Sequence, residues 1–351
     1  MRTGTLSTAL SRAILPALAL FAPALACPAL AESPAIAEQH AKYLAAARHW
    51  EEKHLPQGLG QAASFAAKEK APEPRSSGTA RTAMLLSNVD FEYTSGIGFS
   101  VKKLIVTLES KKAGGAVDMD KVDSFIIRVH QGEITLPPAS LSALFNKYLL
   151  ATKSPSLANM RMKTLDGRLA ADADLLLLGG IGVPVSFAGP VSLSNDNRLA
   201  FQVQAISSFG IPLGGPMKAL GMSLPAVVSI KKPGVAIGGF TIGMDHRKVF
   251  PLPELTGNIA ALHVHADGLH LSFNDAPEAE LAPPSFLKDS YIWLQSGDPV
   301  FYGAVVTNAQ IAMVPQSEGR RLHFSLYNYR SQLATGEATL SEDGMMVVRL
   351  P

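Results

Sequence analysis

From Met84 onward apolar and polar residues alternate with a period of two. Val89, Phe91 and Tyr93 are interleaved with Asn88, Asp90 and Glu92, and Leu104, Val106 and Leu108 with Lys103 and Thr107. Phe125, Ile127, Val129, Ile134 and Leu136 continue the series. Successive strand side chains point to opposite faces, so this alternation marks strands with one buried face. Turn residues separate the runs: Asp166-Gly167, Asn195-Asp196-Asn197, Asp267-Gly268, Glu318-Gly319 and Asp343-Gly344. Asp-Gly between alternating runs is a hairpin signal. The expectation is antiparallel sheet from about residue 84 to the end of the chain.

Two hairpins give explicit registers. A two-residue turn at Asp166-Gly167 sets Thr164 against Leu169, Met162 against Ala171 and Met160 against Ala173. It also sets Arg161 against Asp172, so apolar meets apolar and opposite charges pair. A loop at 342–344 sets Leu340 against Met346 and Ala338 against Val348. A period near 3.6 appears at Leu141, Leu144, Phe145, Tyr148 and Leu149, with Ser142, Asn146 and Lys147 on the other side. Pro137-Pro138-Ala139-Ser140 supplies the start of this helix. A shorter helical piece is expected near 216–220. At the other end, Ile36, His40, Tyr43, Ala47 and Trp50 predict a helix over 34–55. A Pro-, Gly- and Ser-rich linker follows over 56–82.

Residues 175–190, LLLLGGIGVPVSFAGP, carry no charge, and none occurs from Leu175 to Asn195. A membrane-spanning helix needs about 20 apolar residues. Gly179, Gly180, Gly182, Pro184, Gly189 and Pro190 interrupt this run, which suits strands and bends with Val183, Val185 and Phe187 pointing one way. Strands buried on both faces of an ordinary core would read the same way.

Composition narrows the class. Of the 351 residues 47% are hydrophobic and only 17% charged, below the usual quarter. Arg2 and Arg12, the apolar stretch 13–26 and Ala29-Leu30-Ala31 fit a cleaved export signal over 1–31. The single cysteine, Cys27, lies within it. Ala24-Leu25-Ala26-Cys27 lacks the usual Leu three places before the Cys, so an outer-membrane lipoprotein is the lesser alternative to a periplasmic protein. Removal of 1–31 takes away Arg2 and Arg12 and leaves the 29 acidic residues balanced by an equal number of cations. That balance leaves no nucleic-acid footprint. Without Cys27 there is no disulfide, thiolate metal site or cysteine nucleophile.

Candidate chemistry is sparse. In LHVHADGLHLSF, a turn at Asp267-Gly268 sets His265 against His270 and His263 against Ser272. Three imidazoles then share one face, either a solvated hairpin face or a zinc site with an open position. Asp118, Asp120 and Asp123 lack the glycine and distal Glu of a calcium loop. No Gly-x-Ser-x-Gly, His-Glu-x-x-His, phosphate loop or dinucleotide fingerprint occurs, and no cofactor is expected. The aromatics of FLKDSYIWLQSGDPVFY suit either a core or a headgroup layer.

The order FIIRVHQGEITLP, PPASLSALFNKYLL, MRMKTLDGRLAADADLLL, VPVSFAGPVSLSNDNRLAFQVQAIS and VFPLPELTGNIAALHVHADGLHLSF resembles the LmeA-like phospholipid-binding family of exported bacterial proteins. That family looks related in architecture to the tubular lipid-binding (TULIP, BPI-like) proteins. The resemblance covers roughly residues 84–275. It implies a curved sheet wrapped on a helix, an aliphatic groove and acyl-chain cargo.

The expected fold is α+β, mostly β: a long curved antiparallel sheet of hairpins wrapped on one or two helices. Its expected parts are a signal (1–31), an N-terminal helix and linker (32–82), a lipid-binding-like unit (83–276) and a β extension packed on the same sheet (277–351). The expected function is a non-enzymatic carrier of phospholipid or another acyl lipid that meets a membrane surface transiently. Its lining candidates are Leu141, Leu144, Phe145, Tyr148, Val183, Val185 and Phe187. The alternatives are an envelope β-scaffold that binds another protein and, behind it, a metal-dependent hydrolase built on His263, His265 and His270.

Overall fold

The computed structural model describes residues 81–351 apart from 153–154, 177–180, 220–222, 227, 278–280 and 341–344. The expected signal, Cys27 and the helix over 34–55 lie outside the described residues. The expected linker overlaps them only at Arg81 and Thr82, which already belong to a strand.

The alternation seen from Met84 onward becomes a meander of long strands, β1 (Arg81–Thr94), β2 (Ile97–Ser110) and β3 (Phe125–Leu136). Val89, Phe91, Tyr93 and Phe99 are buried on its inner face. Phe91 lies opposite Phe99 and stacks on it with centroids 5.2 Å apart, while Tyr93 meets Phe91 edge-on at 5.4 Å. Such pairs add to simple area burial and help hold the strand register.

Helix α1 (Pro138–Leu144) follows and passes directly into a π-helical turn, Phe145–Leu149. The chain then forms β4 (Leu157–Leu165), β5 (Arg168–Leu176), β6 (Gly182–Gly189), β7 (Val191–Leu193), β8 (Leu199–Gln202), β9 (Ala205–Ser208) and β10 (Ile211–Pro212). Helix α2 (Gly214–Ala219) and strands β11 (Val235–Gly238) and β12 (Thr241–Met244) come next. These strands make two sheets, β10-β9-β6-β5-β4 and β11-β12-β8-β7. Both share one bent hairpin. Pro190 O accepts from Gln202 N and Ala188 O from Gln204 N, at 3.0 and 2.9 Å, so pairing continues across the bend. A Cβ on Gly189 would run into the Gln202 carbonyl, so glycine is needed where the hairpin changes sheet.

The chain returns to the large sheet through β13 (Glu254–Thr256), β14 (Ile259–His265), β15 (Gly268–Asn274) and β16 (Tyr291–Gln295). The ribbon β17 (Val300–Phe301) and β18 (Ala304–Val305) stands apart. Then come β19 (Gln310–Pro315), β20 (Leu322–Ser325), α3 (Tyr329–Thr335), β21 (Glu337–Leu340) and β22 (Met346–Leu350). The large sheet runs β14-β15-β3-β2-β1-β16-β19-β22-β21, with β13 beside β3 and β20 beside β1.

The fold is therefore α+β and mostly β, as expected, but three sheets share the work expected of one. Three pairings, β1 with β20, β3 with β13 and β19 with β22, are parallel rather than antiparallel. Each joins strands that are distant in sequence, and hairpin signals carry no information about such contacts. The expected pairs at 161–172, 162–171, 163–170 and 164–169 are all present. Met160 does not pair with Ala173, because the register shifts between Ala158 and Arg161 and Asn159 takes φ 51°. Leu340 lies opposite Met346 and Ala338 opposite Val348, as expected. Trp293 is buried with Leu85, Leu287, Ala312, Met345 and Val347 in a second, smaller apolar cluster.

Asp120, from the acidic segment, ties the ends of the fold together. Its carboxylate accepts from Arg330 Nε at 2.9 Å, from Gly303 N at 2.7 Å and from the Tyr329 hydroxyl. Burial alone would raise its pKa, but these donors outweigh it and hold the carboxyl below its usual 3.8. A depressed folded pKa contributes stability above 3.8 that is lost as pH falls through the lowered value. Asp120→Asn is expected to lower stability at neutral pH by about 1–3 kcal/mol. Chemical denaturation across acid pH should show the wild type losing its advantage over the variant below 3.8.

Candidate functional site

The candidate site is where α1 and the π turn meet all three sheets. Pro137-Pro138 sets the helix start, with Pro137 in extended geometry. Ser140 Oγ accepts from Gly98 N–H at 2.9 Å and so anchors the helix to the β1–β2 turn. Leu141, Leu144, Phe145 and Leu149 are buried. The π turn is closed by Leu150 N donating to Phe145 O at 2.7 Å. Its extra residue per turn widens the apolar face at this point, and such widenings recur at functional sites.

The polar side of this helix has a task that its pattern did not announce. Asn146 Nδ2 donates to Met160 O at 2.7 Å, while Asn146 Oδ1 accepts from Met160 N at 2.8 Å. Ser142 Oγ accepts from Met162 N at 2.8 Å. These bonds satisfy the outer edge of β4 at its bulge, and an edge so covered cannot recruit another strand. The helix is thereby locked to the five-stranded sheet while its apolar face looks inward.

Between these layers lies a hollow of about 40 Å³ whose wall is entirely apolar. The large sheet contributes Leu136, Leu269 and Leu271, and the helix and π turn contribute Leu141, Leu144 and Phe145. Leu157, Met160, Met162, Leu169, Ala171 and Phe187 come from the five-stranded sheet. Leu199, Phe201, Ile242 and Met244 come from the four-stranded one, and Leu224, Val228, Ile230, Val249 and Phe250 from connecting segments.

Four of the seven expected lining residues, Leu141, Leu144, Phe145 and Phe187, reach this hollow. Val185 is buried and Val183 half-buried on the same strand face as Phe187, but neither lines the hollow. Tyr148 is half-buried, and the Lys232 ammonium stands 4.7 Å from its ring centre. The expected groove is not an open slot. Leu, Phe and Met side chains from facing layers interdigitate and close most of it. The lining residues that the sequence reading passed over include Met160, Met162 and Ala171. Their signal was present in the 166–167 hairpin, whose apolar face they form.

A larger concavity of about 270 Å³ is an open groove at Lys102, Lys103, Ile105 and Gln131–Glu133. It follows the bulges of β2 and β3 at 101–103 and 105–106 and carries mixed charge. It has none of the apolar enclosure of the first.

The three histidines do share one face, but the hairpin register differs from the expected one. His263 lies opposite His270, and His265 opposite Gly268, so the turn is Ala266-Asp267. Gly268 takes φ 151°, and a Cβ there would collide with the Leu136 carbonyl. Glycine is thus needed within the strand beside β3 and is not available for the turn. The His265 and His270 rings meet edge-on at 4.6 Å. His270 Nε2 is 2.7 Å from Asp267 Oδ1, and its Nδ1 is 3.4 Å from Thr135 Oγ1. Among the described residues no group of three or more His, Cys, Asp or Glu is placed to hold a metal ion. In the acidic segment, Asp118 pairs with Lys121 at 2.8 Å while Asp120 serves the structural contacts above.

Comparison of the chain with protein-family models, curated proteins and solved structures finds no match in any of the three.

Leu144→Ala would remove buried atoms from the wall of a hollow that already exists. We expect a loss of about 2–5 kcal/mol, measured by chemical denaturation. Asn146→Ala, which frees the edge of β4, should cost about 1–3 kcal/mol.

Proposed function

We propose that this protein shelters the acyl chains of a phospholipid or similar lipid between α1 and the three sheets, as an exported, non-enzymatic carrier or presenter. The observation that carries the reading is the purely apolar hollow walled by every layer of the fold. Met160, Met162 and Met244 lie in that wall, and their flexible thioether chains adapt to guests of differing shape. The export pattern at Arg2, Arg12 and Ala29-Leu30-Ala31 supports a periplasmic setting. The resemblance to LmeA-like proteins supports a phospholipid guest.

At about 40 Å³ the hollow is a seed for an acyl chain and not a berth for one. Loading therefore requires the layers to part. Each methylene buried contributes about 0.8 kcal/mol, so a sixteen-carbon chain supplies on the order of 12 kcal/mol toward separating them. The layers are pinned together at one end. Thr164 Oγ1 donates to Ala266 O, and Asn197 both donates to Ile259 O and accepts from Ile259 N, all at 2.9 Å. Parting of the large sheet from the small ones would start from the other end, where the Ser156–Ser229 bonds tie the five-stranded sheet only to the segment before β11.

The near-closure of the hollow favours a second reading, a β-scaffold that binds another protein and carries no guest. A dry cavity of about 150 Å³ is the scale that takes up a molecule as small as benzene. The two readings separate on lipid content. For the carrier, we expect acyl lipid in mass spectra of solvent extracts of the natively purified chain, and uptake of a fluorescent fatty acid. Ala171→Leu, which fills the hollow, should weaken that uptake about tenfold while the fold survives. Extracts free of lipid, together with no uptake by the wild type, would leave the scaffold.

A further inference from the structure

We propose that the end of the five-stranded sheet carrying Ile181, Phe209 and Ile211 docks on the surface of a phospholipid bilayer. The inference rests on the lipid-binding reading and adds to it the face through which the guest would pass.

Three observations converge here. The first is position. Among the described residues the three most exposed large apolar side chains are Phe209 at 77%, Ile181 at 66% and Ile211 at 64%. All three stand at one end of one sheet. β9 runs antiparallel to β6, and Ser208 Oγ donates to Pro184 O at 2.8 Å, which brings the β9–β10 turn level with the start of β6. Ile181 immediately precedes β6. Large apolar side chains scattered singly over a surface need no explanation, whereas a cluster at one tip marks a site of interaction.

The second is backbone cost. Ser208 pairs with Ile211, so Phe209-Gly210 is a two-residue hairpin turn, with φ 51° and 76°. That turn wants Asn or Gly at both places. A phenylalanine in the left-handed region is strained, and its exposed ring gains no packing in return.

The third is charge. Residues 175–195 and 199–217 contain no Asp, Glu, Lys or Arg. Asp174, further down β5, is held by Asn159 Nδ2 at 2.7 Å. At the opposite, β4 edge of the same sheet end, Ser229 N donates to Ser156 Oγ at 2.8 Å, and Lys231, two residues on, is exposed. A charge-free apolar tip with a cation set back from it suits a hydrocarbon boundary beneath anionic headgroups. The tip also lies opposite the end pinned by Thr164 and Asn197. Contact there would meet the small sheets at the end away from their pins to the β14–β15 region.

The test compares wild type with a triple variant, Ile181→Thr, Phe209→Asn and Ile211→Thr. Asn suits the turn and Thr suits a strand, so the fold is retained. Both proteins keep the same N-terminus, so any contribution of residues 1–31 cancels. Co-sedimentation with vesicles of mixed phosphatidylethanolamine and phosphatidylglycerol should fall about tenfold or more in the variant. Uptake of a monomeric fluorescent fatty acid should be unchanged. Equal vesicle binding by the two proteins, or no binding by either, overturns the docking surface. If fatty-acid uptake persists in that case, the lipid-binding reading still stands. If neither protein takes up fatty acid while vesicle binding is still tip-dependent, the docking surface stands and the hollow is not the guest site. Concentration-dependent dimerisation of the wild type, lost in the variant with vesicle binding unaffected, would assign the tip to a second copy of the chain and also overturn the proposal.

Discussion

The structure depends on one constraint: the apolar faces of three separate sheets must be buried against one another with only a short helix between them. The two small sheets share the bent hairpin at Gly189, but the large sheet meets both mainly through side-chain packing, which is strong in sum but indifferent to direction. Direction comes from a few polar pins. Ser140 fixes α1 to the β1–β2 turn, Ser142 and Asn146 fix it to the edge of β4, and Thr164 and Asn197 fix the small sheets to the β14–β15 region. Each pin joins a side chain to backbone that would otherwise lack a partner, so each aligns the layers while meeting the demand that backbone polar groups be satisfied.

This division of labour bears on function. A core closed by packing alone can open along a seam at the cost of that packing, whereas continuous strand pairing would have to be broken bond by bond. The hollow lies along such a seam, and the pins from Thr164 and Asn197 to the β14–β15 region stand at one end of it. The exposed apolar tip lies at the other. On the proposed carrier reading, burial of acyl chains is what would offset the packing lost when that seam opens.

The histidine hairpin shows how a pattern that suggests chemistry can be absorbed by architecture. Three imidazoles on one face invite a metal, but here they contact one another, with His270 also held by Asp267 and near Thr135. On the other face, buried Leu269 and Leu271 and half-buried Val264 answer to the main core. The hairpin's register was decided by the close approach of β3 at Gly268, which is a contact across the sheet and not a local preference.

What could be read from the chain by itself was whatever neighbours in sequence decide. The period-two runs became strands, Leu141, Leu144, Phe145 and Leu149 became the buried face of a helix, and the 166–167 hairpin took its expected register down to its bulge. Each follows from side-chain direction, turn chemistry and burial within about twenty residues. Only the tertiary structure decided that the strands divide among three sheets, that β20, β13 and β22 pair in parallel, and that the hollow lies beside Phe187, Met160 and Met162 and not beside Val183 further along the same strand face. Local periodicity says which residues seek burial, but not which of several apolar faces they will meet. That choice is made by contacts between segments far apart in the chain, through steric fit at a few glycines and the pairing of backbone edges.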